Sequence, residues 1–259
     1  MNILFTICAR AGSKGVKSKN ARDFLGYPLV YYTLSVYDGF CRNYKSEYEK
    51  IDLALNTDST LVLEQCQKTG ISFEYVKREE MLGGDSIAKA DVIRDTLCKM
   101  EEKKKVRYDV VIDLDLTSPL RTVKDVKGCL DCLIDSREVN VAYSVTQARR
   151  IPYFNMVKKN AEGYMERVIK GGFLTRQEAP ECFDMNASIY AYRRGALLEN
   201  YRNSIFDNRA VAWVMKDTAV LDIDSEEDLE LMQVVAKYFF SQYDEYGWVR
   251  DNVIKMGGE

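Results

Sequence analysis

The 259-residue sequence predicts an α/β fold: a parallel sheet with helices on both of its faces. Three observations predict it. Short apolar runs alternate with helical stretches from residue 3 to residue 145. Several runs are apolar on consecutive residues, as in strands buried on both faces. The first, second and fourth runs each lead into polar or glycine-bearing residues, the composition of loops. In such folds ligands sit at the carboxyl ends of the strands, so these three loops are expected to meet at one crevice.

Ile3 to Cys8 reads as the first strand and feeds Ala9-Arg10-Ala11-Gly12. A helix starts at Pro28, a residue favoured in a first turn, and carries Leu29, Tyr32, Thr33 and Val36 on one face. Ile51 to Asn56 is the second strand, and Asp58 or Ser59 caps a helix that ends near Gly70. Phe73 to Val76 is a short third strand. Ile87 to Met100 is helical and runs into Glu101-Glu102-Lys103-Lys104-Lys105, read as a solvated helix end and loop. Asp109 to Leu114 is the fourth strand, read as apolar on both faces; a helix spans Val123 to Ile134, and Val139 to Val145 is the fifth strand. The rhythm then changes. Residues 151–184 carry strand-like pieces, Tyr153 to Val157 and Tyr164 to Val168, among mixed charges, and read as an inserted β-rich arm. Residues 1–150 and 185–259 form the α/β domain around it. The second part holds strands at Met185 to Arg193 and Ala210 to Met215 and a long helix from Ser225 to Phe239. Ser225 with Asp228 approaches a capping box there.

Composition narrows the chemistry. Lys and Arg number 37 against 40 Asp and Glu, a net charge of −3, which disfavours a general nucleic-acid binder. There is no histidine, which removes Ser-His and Cys-His nucleophile pairs, imidazole zinc sites and a histidine base. Seven scattered cysteines fit reduced thiols better than a disulfide framework. Cys129 and Cys132 have no second pair with which to build a zinc ribbon, and their spacing puts both on one helix face, as structural thiols. No apolar run approaches a membrane span, and Met1 to Ile7 lacks a basic leader, so a cytoplasmic protein is expected.

Three segments carry candidate chemistry. Ala9 to Asn20 follows the first strand and holds two glycines, two serines and four cations. Backbone amides freed by glycine, together with Arg and Lys, suit phosphate oxygens. The spacing is neither a Walker loop nor GxGxxG, and a flexible basic loop is the alternative. Leu114 to Arg121 contains a Thr-Ser-Pro turn ending in Arg, able to hold a polar ligand or simply to open a helix. Asp222 and Asp224 flank one apolar residue; if extended, their carboxylates share a face and suit a hard cation. The alternative is that Asp224 or Ser225 caps the helix and Asp222 is solvated. Together these pieces make a nucleoside-triphosphate and Mg²⁺ site without a P-loop.

At this point the sequence resembles the acylneuraminate cytidylyltransferase family, which makes CMP-sialic acid. The resemblance rests on Ala9 to Asn20 (ARxGSKGxxxKN), Asn56-Thr57-Asp58, Arg78-Leu82-Asp85-Ser86, Leu114 to Arg121 (LQxTSPLR), Arg176-Gln177-Glu178-Ala179-Pro180, Asn186 to Tyr190 and Asp222 to Asp228. These run in order over nearly the whole chain. Two positions depart from the pattern: Lys17 replaces a usual Pro, and Asp115 replaces a Gln expected near the sugar. Pro152 to Val157 and Asp184 to Ser188 look most like the subgroup acting on legionaminic-acid-type nonulosonates.

The resemblance implies a three-layer α/β/α, nucleotide-diphospho-sugar-transferase-like sheet of Rossmann type. It also implies transfer of CMP from CTP to the anomeric hydroxyl of a nonulosonic acid, with pyrophosphate released. Arg10 and Lys19 are then expected on the triphosphate, with Ser13 and Lys14 in the same cradle, Asn20 at the ribose and Ser86 near the cytosine. Asp222 and Asp224 are expected to hold Mg²⁺ (or Mn²⁺), with Asp224 or metal-lowered hydroxyl acidity supplying the base function. Arg176, Gln177 and Tyr190 are sugar-pocket candidates, Arg176 for the carboxylate with Arg149 or Arg150 as alternates. The arm resembles a dimerisation element that reaches into the partner's active site, so a homodimer is expected, with a lid within the monomer as the alternative. Other readings are a 3-deoxy-manno-octulosonate cytidylyltransferase and a catalytically idle nucleotide-binding protein of the same fold. A NAD-dependent oxidoreductase fits poorly, because the glycine fingerprint is missing.

Overall fold

The structure, a computed structural model, describes residues 1–12, 16, 18–84, 87–199, 205 and 209–258. In chain order its strands are β1 (Asn2–Ala9), β2 (Asp23–Phe24), β3 (Tyr27–Pro28), β4 (Lys50–Thr57), β5 (Glu74–Lys77), β6 (Val110–Leu114), β7 (Val141–Gln147), β8 (Val157–Lys159), β9 (Met165–Arg167), β10 (Phe183–Arg193) and β11 (Ala210–Val214). The helices are α1 (Leu29–Tyr44), α2 (Thr60–Lys68), α3 (Lys89–Lys104), α4 (Val123–Asp135), α5 (Arg194–Leu198), α6 (Glu226–Gln242) and α7 (Asp244–Met256).

The main sheet has the order β11-β7-β10-β6-β1-β4-β5. β1 pairs in parallel with β4 and β6, and β4 with β5. β10 runs antiparallel between β6 and β7, and β11 returns parallel to β7. Alternation along β1 sends Ile3, Phe5 and Ile7 into one core and Leu4 into the other. The first core packs α1, α2, α4, α6 and α7 on one face; the second packs α3 and α5 on the other. This is the expected three-layer arrangement. The strands β1, β4 and β6 end at Ala9, Thr57 and Leu114, so the loops that follow them open on one edge of the sheet.

Local chemistry fixes the helix starts that bear on that edge. Ser59 caps α2 by accepting the Val62 amide. Ser225 and Asp228 form a full capping box at α6, and Thr122 with Asp125 forms another at α4. Cys129 is buried in α4 and Cys132 half-buried, both free thiols, as expected of structural cysteines.

The structure corrects several expectations. α3 starts at Lys89 rather than Ile87 and continues through the charged run to Lys104, closed by Lys105 in the left-handed region. Lys103 and Lys104 both pair with Glu74 at that end of the helix. Tyr153 to Asn155 form a turn, not a strand; the hairpin of the arm pairs Val157–Lys159 with Met165–Arg167. Tyr164 precedes that second strand. Asp222 and Asp224 lie in irregular chain rather than in an extended strand. The helix α7 and the small hairpin of β2 and β3 lie outside the sequence reading.

Candidate active site

A cleft of about 330 Å³ opens at the carboxyl ends of β1 and β6, lined among others by Arg10, Lys19, Asn20, Arg78, Asp222 and Asp224. Cationic side chains from near residue 10 and the acidic pair near residue 223 thus share one wall-to-wall space. Ser13, Lys14 and Ser86 lie outside the described residues.

The loop after β1 is held from both ends. Asp58 Oδ1 accepts the Ala11 amide at 2.6 Å, and Thr57 Oγ1 donates to the Ala9 carbonyl at 2.5 Å. Asn56 accepts the Arg78 Nε at 2.9 Å and donates to Thr96. The Asn56-Thr57-Asp58 turn therefore latches the loop, and fixes Arg78 in the cleft wall. Ser18 takes φ +53, a left-handed turn that starts the short helix carrying Lys19 and Asn20. Asn20 Nδ2 donates to the Arg10 carbonyl at 3.0 Å, tying the two ends of the loop together.

Across the cleft, Lys19 Nζ meets Asp224 Oδ1 at 2.8 Å. The Asp222 carboxyl titrates above its ordinary range, first because it is partly buried and then because Asp224 lies beside it. No cluster of three or more carboxylate or thiol ligands is present among the described residues. Two carboxylates facing one polar cleft still fit a hard divalent cation, which typically takes one or two carboxylates and completes its shell with phosphate oxygens and water.

The sequence reading missed Lys89. Its ammonium sits 2.7 Å from Asp113 Oδ2 and 2.6 Å from Asp115 Oδ2. Burial acts to lower the Lys89 pKa, but Asp113 and Asp115 overcome this and raise it well above the usual lysine range. Burial acts to raise the Asp115 carboxyl; Lys89 and two donors from Thr117 outweigh it and hold it well below the usual carboxylate range. The available signal was Asp113 itself. A strand read as apolar on both faces carries a carboxylate one residue from its end, fully buried in the fold, and a buried carboxylate requires a partner. Thr6 Oγ1 supplies one hydrogen bond and Lys89 the charge.

Arg121 is a strut rather than a ligand holder. It is fully buried, and its guanidinium bonds the Ser188 and Asp115 carbonyls and Thr33 Oγ1. Tyr190 lies in β10 with its ring stacked on Tyr192 and 5.6 Å from the Lys89 ammonium, so it flanks the cleft. Ala187, at φ +51 where the β10 register shifts, faces into the cleft wall.

Arg176 and Gln177 do not join this cleft within the chain. They line a separate space of about 460 Å³ with Gln147, Ile151 and Pro180, and Arg176 Nη2 donates to the Ala148 carbonyl. Of the alternates, Arg149 pairs with Asp217, and Arg150 bonds the Arg149 carbonyl. The arm itself is exposed: Leu174 is 80% accessible, Tyr164 and Met165 70% each. Among the described residues, no helix is long and apolar enough to cross a membrane.

A three-layer fold that brings cations and carboxylates into one cleft at the strand ends suits nucleotidyl transfer. The cytidylyltransferase family model matches residues 4–242, and the chain belongs to that family. It is 38% identical over 236 residues to CMP-N,N'-diacetyllegionaminic acid synthase of Campylobacter jejuni, spanning 89% of this chain and 93% of that protein. It is 35% identical over 237 residues to post-translational flagellin modification protein B of Campylobacter coli, spanning 91% and 95%. The solved CTP complex of CMP:2-keto-3-deoxy-manno-octonic acid synthetase superposes with a TM-score of 0.61 at 19% identity, covering 92% of this chain and 99% of that one. That likeness shows a shared fold.

Proposed function

We propose that this cytidylyltransferase joins CMP from CTP to the anomeric hydroxyl of a nonulosonic acid of the legionaminic or sialic type and releases pyrophosphate. The observation that carries the reading is the single cleft shared by Arg10, Lys19, Asp222 and Asp224. The named relative acting on diacetyllegionaminic acid supports the sugar class.

In this reading Arg10 and Lys19 neutralise the triphosphate, and Asn20 meets the ribose. Asp222 and Asp224 hold Mg²⁺ or Mn²⁺, which when bound supplies Lewis-acid stabilisation of phosphoryl charge. The sugar oxygen bonds the α-phosphorus as the bond to pyrophosphate breaks. Positioned cations stabilise the charge that builds on the transferring and leaving oxygens. The hydroxyl proton needs an acceptor, and the cleft carboxylates are Asp115, Asp222 and Asp224. Asp115 is held low by Lys89 and Thr117, and a carboxylate held low is a weak base. The function falls to the Asp222 and Asp224 pair. Ser13, Lys14 and Ser86 complete the nucleotide contacts, and Tyr190 borders the sugar.

The test is pyrophosphate release from CTP and Mg²⁺ with a panel of diacetyllegionaminic, N-acetylneuraminic, pseudaminic and 3-deoxy-manno-octulosonic acids. Release is expected with a nonulosonate. CTP binding without release from any acid would overturn the reading in favour of an idle nucleotide-binding protein. Release confined to the eight-carbon acid would overturn the sugar class.

The exposed apolar arm supports a homodimer in which Arg176 and Gln177 serve the partner's cleft. Isolated, the arm leaves Tyr164, Met165 and Leu174 in water, which a partner surface would cover. Light scattering is expected to give twice the chain mass, and Tyr164→Asp with Met165→Asp to halve it and lower kcat/KM. A monomeric parent protein would remove the arm's proposed role.

A further inference from the structure

The motif residues Asp222 and Asp224 lie in a stretch without regular structure, yet their separation from Lys19 and Arg10 must be kept. How the chain keeps it can be traced. Between them, the Ile223 amide donates to the Thr117 carbonyl at 3.0 Å, and the Ile223 side chain is fully buried. Thr117 is itself in irregular chain. Its amide and hydroxyl both donate to Asp115 Oδ1, at 2.9 and 2.8 Å. The other oxygen, Asp115 Oδ2, is gripped by Lys89 at 2.6 Å. Lys89 in turn is anchored 2.7 Å from Asp113, fully buried near the carboxyl end of β6. Each link constrains the next, from the rigid sheet to the backbone between the two acidic residues.

Two further facts separate Lys89 from an ordinary helix lysine. It is the first residue of α3, where the helix dipole disfavours a cation, so it does not serve the helix. Its ammonium is held by two carboxylates at once, Asp113 at 2.7 Å and Asp115 at 2.6 Å. An ammonium already paired twice is a poor anchor for a substrate carboxylate or phosphate.

We propose that Lys89 and Asp115 are a coupled pair of positioning residues. Through Thr117 they set the backbone of Asp222-Ile223-Asp224 and so the metal-holding geometry of the cleft. This rests on the reading of Asp222 and Asp224 given above, and names what holds them.

Mn²⁺ is the probe, followed by water-proton relaxation with and without CTP, beside the kcat and KM of pyrophosphate release. Lys89→Met is expected to weaken Mn²⁺ binding roughly 10- to 100-fold, the range seen when a group supporting a metal ligand is lost. kcat should fall with it, while the KM for the sugar acid stays unchanged. Lys89→Arg should restore most of the binding. Asp115→Asn should match Lys89→Met, and the double variant should be no worse than either single one, because both break the same chain. Should Lys89→Met fail to fold, Lys89→Gln carries the test, because Asp115 lines the cleft beside Asp222 and Asp224 and its loss would also remove a carboxylate facing the metal. Undiminished Mn²⁺ binding in folded Lys89→Met, Lys89→Gln or Asp115→Asn would overturn the proposal. A raised sugar KM with Mn²⁺ binding intact would also overturn it, by making Lys89 a substrate contact. If the parent protein turns over no sugar acid, the proposed function fails, and the Mn²⁺ titration still decides this inference.

Discussion

Asp222→Asn is expected to remove most CMP transfer and to leave the folded protein as stable as before, or slightly more so. The two halves of that result have one cause. In the free protein the Asp222 carboxyl is raised by burial and by Asp224, so its ionised form is unfavourable where it stands. Replacing it with an amide of the same shape removes that unfavourable charge. The same charge is what a divalent cation would bind, and metal stabilisation of phosphoryl charge is worth several kcal/mol. At about 1.4 kcal/mol per factor of ten, turnover should fall by roughly 10² to 10⁴-fold. The pH dependence has a definite sign. Asp222 binds a proton more tightly folded than unfolded, so stability falls as pH rises from about 4 through the raised value. With a chelator present, the Asn variant should lack that fall. Thermal melts across this range and a pyrophosphate assay check both halves. Near-normal turnover in Asp222→Asn would dispose of the metal assignment, whatever the melts show.

The convergence that makes this prediction possible is legible in the amino-acid sequence. Strand ends are where an α/β sheet presents its loops, so a basic segment after the first strand and a polar turn after the fourth had to be neighbours. The capping box at Ser225 and Asp228 fixed where α6 begins, and with it the place of Asp222 and Asp224 just upstream. Other features were hidden for physical reasons. The insertion of β10 between β6 and β7 depends on long-range pairing that no local pattern encodes. Lys89 looks like any surface lysine until Asp113 and Asp115 are seen to need it. In α7, Tyr246, Val249 and Val253 repeat at helical spacing, but Gly247 in the first turn weakens the signal. The hairpin of the arm was displaced along the chain because Tyr153 and Phe154 look like strand residues. Instead, three amides, those of Phe154, Asn155 and Met156, donate to the Ile151 carbonyl and close a turn. Arg176 and Gln177 were expected beside the sugar; their place away from the cleft within one chain follows from their position beyond that turn and hairpin.

Arg121→Met should be the most damaging single change to stability in the polar turn, and its effect separates a strut from a ligand contact. The guanidinium is fully buried. Nη1 donates to the Ser188 carbonyl at 2.6 Å, and Nη2 to the Asp115 carbonyl and Thr33 Oγ1 at 2.5 Å each. These bonds join α1, the turn after β6 and strand β10 at one point. Burial pushes the Arg121 pKa down to about 10, with Asp115, Asp113 and Asp125 acting against it, so the group remains charged at neutral pH. Met fills the space of the stem but satisfies none of the acceptors, and it leaves buried Asp113 with less compensating charge. Hydrogen bonds made by a charged group are worth about 1.5–3 kcal/mol each, so losing this set costs about 3–5 kcal/mol. For a chain of this size that is a fall in Tm of roughly 10 °C. Arg121→Lys should recover only part of the loss, since one ammonium cannot reproduce a planar fork aimed at two sides. Differential scanning calorimetry reads the stability, and CTP titration at a temperature where the variant is folded reads the site. An unchanged Tm with CTP affinity lost would mean that Arg121 leaves its carbonyl partners to bind nucleotide. A lowered Tm with CTP affinity retained is the outcome that the geometry of this buried fork requires.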